Sequence, residues 1–372
     1  MCGFYLVKGG IILSAKLLRS MINQVREVID DEFGVADETG LIIACSDSSC
    51  IGKTIPGIDS VLACKDQNLA LDGYSYHKIF DRNKLDSIVY IKSEEDCLKY
   101  LSLIAINVIN LKAYYDEKFE KINFIRSILF DNALPGDLSL RIKELHIPYN
   151  GYRVVLVVKT DKTDDSYVHD VIQELFPNKT KDFIIILDNN TTVLLKELKS
   201  ENDYAEIEKT AAEIINTLNS ELMIKANIGI GSIVNNIADI RRSFDEAKTA
   251  LQVGAIFSND RSVFNYNNLG IGRLIYQLPD ELCRLFLHEV FSQGAFESLD
   301  AETIHTIQKF FENNLNVSET SRQLYVHRNT LVYRLDKIQK ITGLDIRKFD
   351  DAIIFKVAML VKKYVDKQIT ED

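Results

Sequence analysis

The chain has 372 residues, 46% hydrophobic and 26% charged. That balance is ordinary for globular domains, and the length is too great for one core, so two or three domains are expected. A net charge of −10 argues against nucleic-acid binding spread evenly over the surface, and no apolar run reaches the roughly 20 residues of a membrane span. Six cysteines without a CxxC pair, behind an opening MCGFYLVKGG that lacks a basic leader and cleavage site, exclude a disulfide scaffold and point to free thiols in the cytoplasm.

Residues 14–30, SAKLLRSMINQVREVID, predict an amphipathic helix capped by Ser14, with Leu17, Leu18, Met21, Ile22, Val25, Val28 and Ile29 on its apolar side. FGVADETGLIIACSD reads as two short strands around a turn at Glu38-Thr39-Gly40. A loop with a short helix in IGKTIPGIDSVLACKDQ and a strand in SIVYIKS follow. From about Glu94 to Leu129 there is neither Gly nor Pro, which predicts one long helix. Leu101, Ala105, Val108, Tyr115, Phe119, Ile122 and Leu129 approximate a heptad along it, interrupted by Lys112 and Arg126. That spacing fits either pairing with a second copy or packing on the helix's own domain.

LPGDLS punctuates the chain near Pro135, and a second pattern begins. It runs strand 152–160, helix 165–176, strand 182–187, turn 188–190, strand 191–197, helix 204–218 and strand 224–230. This β-α-β-β-α-β order is ferredoxin-like. A helix over 237–253 is expected to end at Gly254, a residue type suited to the position after a helix. From about Leu269 onward the pattern is helical throughout.

Charge is unevenly placed. Between Thr303 and Tyr364 eleven Lys/Arg oppose six Asp/Glu, a net of +5, which leaves −15 for the remainder. Within that basic stretch, Asn316-Val317-Ser318-Glu319 has the form of a capping box and opens a short helix through Leu324. Tyr325-Val326 form a turn, and His327 stands where the next helix needs its N-cap. Leu331, Leu335, Ile338 and Thr342 recur at helical spacing and predict a buried face. The opposite side presents Asn329, Thr330, Tyr333, Lys337 and Lys340, with Arg334 at its flank and Arg328 at the helix start.

Two brief helices joined by a tight turn, with polar and basic residues leading the second, describe a helix-turn-helix. First-turn side chains in a major groove reach base edges, where Arg pairs with guanine and Asn with adenine. Thr, His and Lys side chains hold phosphates. The predicted DNA-facing set is Arg322, His327, Arg328, Asn329, Thr330, Tyr333, Arg334 and Lys337, and the predicted partner is double-stranded DNA. The competing reading is a charged helix face that merely meets solvent.

NVSETSRQLYVHRNTLVYRLDKIQKITG resembles the C-terminal helix-turn-helix of the sugar-diacid regulators, the CdaR/PucR group, with HRNTL, YRL, KI and TGLD in order. IGIGSIVNNIADIRRSFDEAKTAL resembles the GGDEF-like middle domain of that group. LSAKLLRSMINQVREVI with ADETGLIIACSDSSCIG resembles its N-terminal sugar-diacid-recognition domain. The resemblance implies a multidomain α+β protein. It would have an α/β sensory domain with a long connecting helix over 1–133, a GGDEF-like domain over 134–266 and an all-α helix-turn-helix domain over 267–372. It also implies a cytoplasmic, homodimeric transcription regulator that answers a carboxylate-type small molecule.

The ligand-facing edge is expected in the loop Asp47, Ser48, Ser49, Ile51, Gly52 and Lys53. Here the chain departs from the group. Cys50 stands where its Arg would be and Ile55 near its His, so Lys53 offers a point charge without the guanidinium fork that suits a carboxylate. In the middle domain the turn LDNNTT supplies neither the glycines nor the paired acids of a nucleotide cyclase. No P-loop, GxSxG or HExxH occurs, and the six histidines are scattered. No enzyme activity, cofactor or metal site is therefore expected; metal ligation or redox sensing by Cys45 and Cys50 is the minor alternative, weakened by the lack of neighbouring His. Two other functions compete with the regulator: an interaction scaffold with a vestigial helix-turn-helix, and a nucleotide cyclase.

Overall fold

The computed structural model describes residues 6–7, 10–11, 15–93, 97–131, 135–161, 166–176, 181–257, 261–291 and 294–371. It is α+β and divides into two compact units, one of residues 1–126 and 139–147, the other of 127–138 and 148–372. No described helix is long and apolar enough to cross a membrane.

The first unit begins with the two-residue strands β1 (Leu6–Val7) and β2 (Gly10–Ile11), then α1 (Ala15–Val25). The predicted cap Ser14 lies outside the described residues. α1 stops earlier than its apolar spacing suggests, because Val28 N–H and Ile29 N–H both turn back to the Val25 carbonyl. Val28 is consequently 76% exposed rather than on the core side, while Leu18 and Ile22 are buried as expected.

The sheet comprises β3 (Glu32–Asp37), β4 (Ile42–Cys45), β5 (Asn68–Leu71), β6 (Tyr74–Asp81) and β7 (Lys84–Lys92), with α2 (Ile58–Ala63) between β4 and β5. Its order is β4-β3-β7-β6-β5, antiparallel throughout. Alternation sorts the side chains onto two faces. Phe33, Val35, Val89 and Ile91 meet Leu18, Ile22, Leu101, Ile104 and Val108 on one face, whereas Ala36, Cys45, Ile88 and Tyr90 meet Ile55 and Val61 on the other. Burial and its hydrogen bond to Cys45 push the Tyr90 hydroxyl well above its ordinary range, so it stays a donor.

The long helix α3 spans Leu98–Leu129. Leu101, Ala105 and Val108 of the expected heptad are buried against their own sheet and are not available to a partner. A second stripe, Leu103, Ile106 and Ile109, faces outward at 57%, 53% and 47% exposure. Lys112 does not break a seam but pairs with Asp86 of β7. α4 (Pro135–Glu144) follows.

In the second unit β8 (Asn150–Thr160), α5 (Ser166–Leu175), β9 (Phe183–Asp188), β10 (Thr191–Leu198), α6 (Tyr204–Leu222) and β11 (Ala226–Ile230) realise the ferredoxin-like order, with strands arranged β11-β8-β10-β9. Beyond them come β12 (Val234–Asn236), α7 (Ile240–Phe257) and β13 (Val263–Asn265), the last parallel to β11 at the sheet edge. Asp188 accepts the Asn190 N–H and is a turn residue of the β9–β10 hairpin. Gly254 does not end α7; the helix continues to Phe257. A Cβ there would lie 2.2 Å from the Phe264 ring, so the glycine lets β13 close on the helix.

The chain ends in α8 (Ile271–Tyr276), α9 (Asp280–Val290), α10 (Ala301–Glu312), α11 (Val317–Gln323), α12 (Arg328–Thr342) and α13 (Phe349–Glu371). α7 and α13 share an apolar cluster of Ile256, Ile275, Cys283, Val361, Tyr364 and Val365, which carries the middle domain's core into the helical one.

Gly254→Ala is expected to destabilise the second unit. Helix propensity would favour Ala by up to about 1 kcal/mol, but forcing a methyl into the Phe264 ring costs about 1–3 kcal/mol. A thermal melt lower than that of the parent chain checks the sign; an unchanged or higher melting temperature contradicts this packing.

Candidate nucleic-acid interface

α11 starts because Asn316 accepts from the Ser318 and Glu319 N–H groups. Only half of the capping box forms. Glu319 turns instead to Arg322 at 2.6 Å, and the Asn316 N–H goes to the Asn313 carbonyl. The helix closes in a Schellman arrangement, with Val326 N–H on the Ser321 carbonyl and Tyr325 in the left-handed region at φ +52°. His327 then caps α12, its Nδ1 accepting the Asn329 N–H at 3.2 Å.

α12 buries Leu331, Leu335, Ile338 and Thr342, as their spacing predicts, and the first three cluster with Phe310, Phe355 and Ala358 from α10 and α13. The structure divides the predicted DNA-facing residues into two groups. His327, Arg328, Asn329 and Thr330 form the exposed leading end, with Tyr333 70% exposed one turn on. Arg334 and Lys337 are held from behind. Arg334 donates to Glu302 at 2.5 Å and to Thr306 Oγ1 at 3.2 Å, and Lys337 lies 3.4 Å from Asp300. Arg322 is on the surface of α11, engaged with Glu319.

Asp300 serves twice, as N-cap of α10 through the Thr303 N–H and as counterion of Lys337. Hydrogen bonds from Thr303, then Lys337, hold its carboxyl below the usual carboxylate range. Its contribution to stability is therefore present above the ordinary aspartate pKa and fades as pH falls through the depressed one.

Tyr325 is a residue that sequence reasoning passed over as plain turn. It is 96% exposed and occupies a conformation that suits glycine. An aromatic residue directly after a helix that ends without Gly was the available signal.

In the first unit the predicted ligand loop is an exposed turn. Asp47 caps a short 3-10 segment, Ser48–Cys50, accepting from the Ser49 N–H and hydroxyl, so its carboxylate is satisfied internally and held low. Ser48, Ser49, Gly52 and Lys53 are exposed and Ile51 half-buried. Gly52 N–H returns to the Ile42 carbonyl and ties the loop to β4.

Two family models match the chain: the PucR C-terminal helix-turn-helix domain over residues 303–361 and the GGDEF-like domain over 131–253. The carbohydrate diacid regulator of Escherichia coli (strain K12) is 22% identical over 388 residues, covering 93% of this chain and 97% of that protein. The purine catabolism regulatory protein of Bacillus subtilis (strain 168) is 21% identical over 284 residues, 70% of this chain; the match spans only about half of that relative, 53% of its length. The DNA-binding transcriptional activator AdeR of the same organism is 24% identical over 201 residues, 52% of this chain and 47% of that protein.

Tyr325→Gly is expected to keep or raise the melting temperature, since a non-glycine residue in this region costs roughly 1–2 kcal/mol, and to weaken DNA binding through loss of the projecting ring. A lower melting temperature would show that the tyrosine is held there by packing. With both domain models matched in their expected order behind a sheet-containing N-terminal region, these matches and the regulators the chain resembles support a CdaR/PucR-type transcriptional regulator.

Proposed function

We propose that the leading end of α12 reads base edges in a major groove, with Arg328 and Asn329 as the discriminating side chains and Thr330, His327, Tyr333 and Tyr325 on the flanking backbone. One observation carries this reading: the helix is locked from behind by Leu331, Leu335 and Ile338 while its first turn is exposed. Arg334 and Lys337, engaged by Glu302 and Asp300, fit a supporting role on phosphates rather than base readout. The names of the relatives, as regulators and as a DNA-binding activator, support the same reading.

Under this proposal the chain is not an enzyme. The β9–β10 turn provides no glycine pair or acid pair for nucleotide and metal. The protein works in the cytoplasm, where DNA and reduced thiols coexist. Its N-terminal domain answers a small carboxylate-type effector at the loop 47–53, a reading supported by the name of the carbohydrate diacid regulator. A homodimer forms through the outward stripe of α3, and two heads then meet half-sites about 34–36 Å apart.

The decisive experiment is fluorescence anisotropy on DNA from upstream of the chain's own gene. Arg328→Ala/Asn329→Ala is expected to abolish sequence preference, each lost base contact costing about 1–3 kcal/mol, while salt-sensitive non-specific binding persists. Equal, sequence-selective binding by the double variant would overturn the assignment.

For the assembly, Leu103→Glu/Ile106→Glu is expected to convert the protein to monomers in sedimentation, since charge on an apolar seam is strongly unfavourable. A sedimentation coefficient equal to that of the parent chain would place the dimer contact elsewhere.

A further inference from the structure

The register of the N-terminal sheet brings together three donors that sequence spacing keeps apart. Glu32 begins β3 and Cys45 ends β4; Gly34 is paired with Cys45 on one side and Tyr90 on the other. Glu32 and Gly34 are two residues apart, so both project to the same face of the sheet. Cys50, at the end of the 3-10 segment after β4, folds back over that face, its Sγ 3.8 Å from Glu32 Oε1. The Cys45 and Cys50 sulfurs and a Glu32 oxygen all lie within 4.8 Å of one another.

We propose that Glu32, Cys45 and Cys50 form a binding site for a thiophilic divalent cation of the zinc class, with a fourth position open to water or an exogenous anion. The donor set fits: two thiolates select zinc-like ions over magnesium or calcium, and a carboxylate completes a facial set of three. The size fits as well. Donors around a tetrahedral zinc with ordinary bond lengths stand about 3.6–3.8 Å apart, so the observed Cys50–Glu32 sulfur–oxygen separation needs almost no change, and the remaining pairs, within 4.8 Å, contract by at most about 1 Å.

The surroundings are built toward the same point. Tyr90 donates its hydroxyl to Cys45 Sγ at 3.2 Å, the kind of outer contact that orients a thiolate ligand. It reaches across β3 only because residue 34 is glycine; a Cβ there would stand 2.8 Å from the Tyr90 ring and hydroxyl. Cys45 is buried, while Cys50 and Glu32 are half-buried, so the cluster has a dry floor and an accessible rim. On binding, each thiol releases one proton and the ion takes two sulfur lone pairs and one carboxylate lone pair; no redox step is involved. The inference does not rest on DNA binding, and although Cys50 lies in the loop proposed for the effector, the donor set is argued from its own geometry.

The test is equilibrium dialysis of the full chain, kept reduced, against Zn²⁺, with Co²⁺ as an optical substitute. One equivalent of tightly held Zn²⁺ is expected, and Co²⁺ should give the sulfur-to-metal absorption of thiolate ligation. Cys50→Ser, at the accessible rim, should lose stoichiometric binding while keeping the parent circular dichroism. Tyr90→Phe, which keeps the packing but removes the outer hydrogen bond, should weaken affinity roughly 10–100-fold. Cys64→Ser should bind as the parent does. Absence of stoichiometric metal in the reduced full chain would overturn the proposal, as would binding that survives Cys50→Ser or a Cys45–Cys50 disulfide in protein purified and alkylated without reductant.

Discussion

A short helix can be displayed to a partner only if something else holds it, and here the burial of one face of α12 is what everything functional depends on. Fifteen residues are marginal as an isolated helix, and α12 carries few strong helix formers at its leading end. Leu331, Leu335 and Ile338 supply the missing stability, each worth about 1.5–3 kcal/mol on full burial, by packing with Phe310, Phe355 and Ala358. Side chains on a helix stand at fixed angles to one another. Once the apolar stripe is seated, the direction of Arg328, Asn329 and Thr330 is no longer free. The His327 cap and the left-handed Tyr325 decide where that first turn begins.

The acidic residues beneath α12 act on orientation more than on stability. Glu302 is 70% exposed and Asp300 56%, and solvent screens pairs of that kind so that they add little to stability. What they do is fix two long side chains that would otherwise sample many rotamers. Arg334 retains donors beyond the two it uses, because a guanidinium has five, so the brace does not consume its capacity for phosphate. It does lower the positive field of the flank. The leading end is thereby left as the less neutralised part of the face, in a chain whose remaining residues are strongly anionic.

The helix-turn-helix was legible because its signals are local: Asn316 and His327 cap within three residues, and the buried stripe of α12 repeats over about three turns. The ferredoxin-like order was legible for the same reason. The N-terminal sheet was less so. β5 and β6 were missed although Asp72-Gly73 and Arg82-Asn83, all with positive φ, turn the chain back; the first of these pairs is a recognisable hairpin signal. On α3 the apolar residues go nearly all round. Periodicity could find the stripe of Leu101, Ala105 and Val108 but not say that it meets its own sheet rather than a second copy. Gly254 misled because glycine serves both as a helix stop and as room for a ring, and only the position of Phe264 separates the two.

The cluster at Glu32, Cys45 and Cys50 shows the limit of spacing most sharply. Four residues separate its cysteines, a gap within the range of zinc-ligand pairs but without a second Cys or His pair to complete a set, and the carboxylate comes from another strand. What unites them is parity. In an antiparallel sheet a slip of one residue sends every side chain to the opposite face, so Glu32 would then point toward α1 and α3, where apolar residues leave no place for a carboxylate. The β3–β4 bulge falls between Val35 and Ala36, beyond the Gly34–Cys45 pair, and so leaves that parity intact at the cluster. The same apolar face that seats α3 therefore also dictates, through the register it enforces, that the acid and the two thiols meet on the other side.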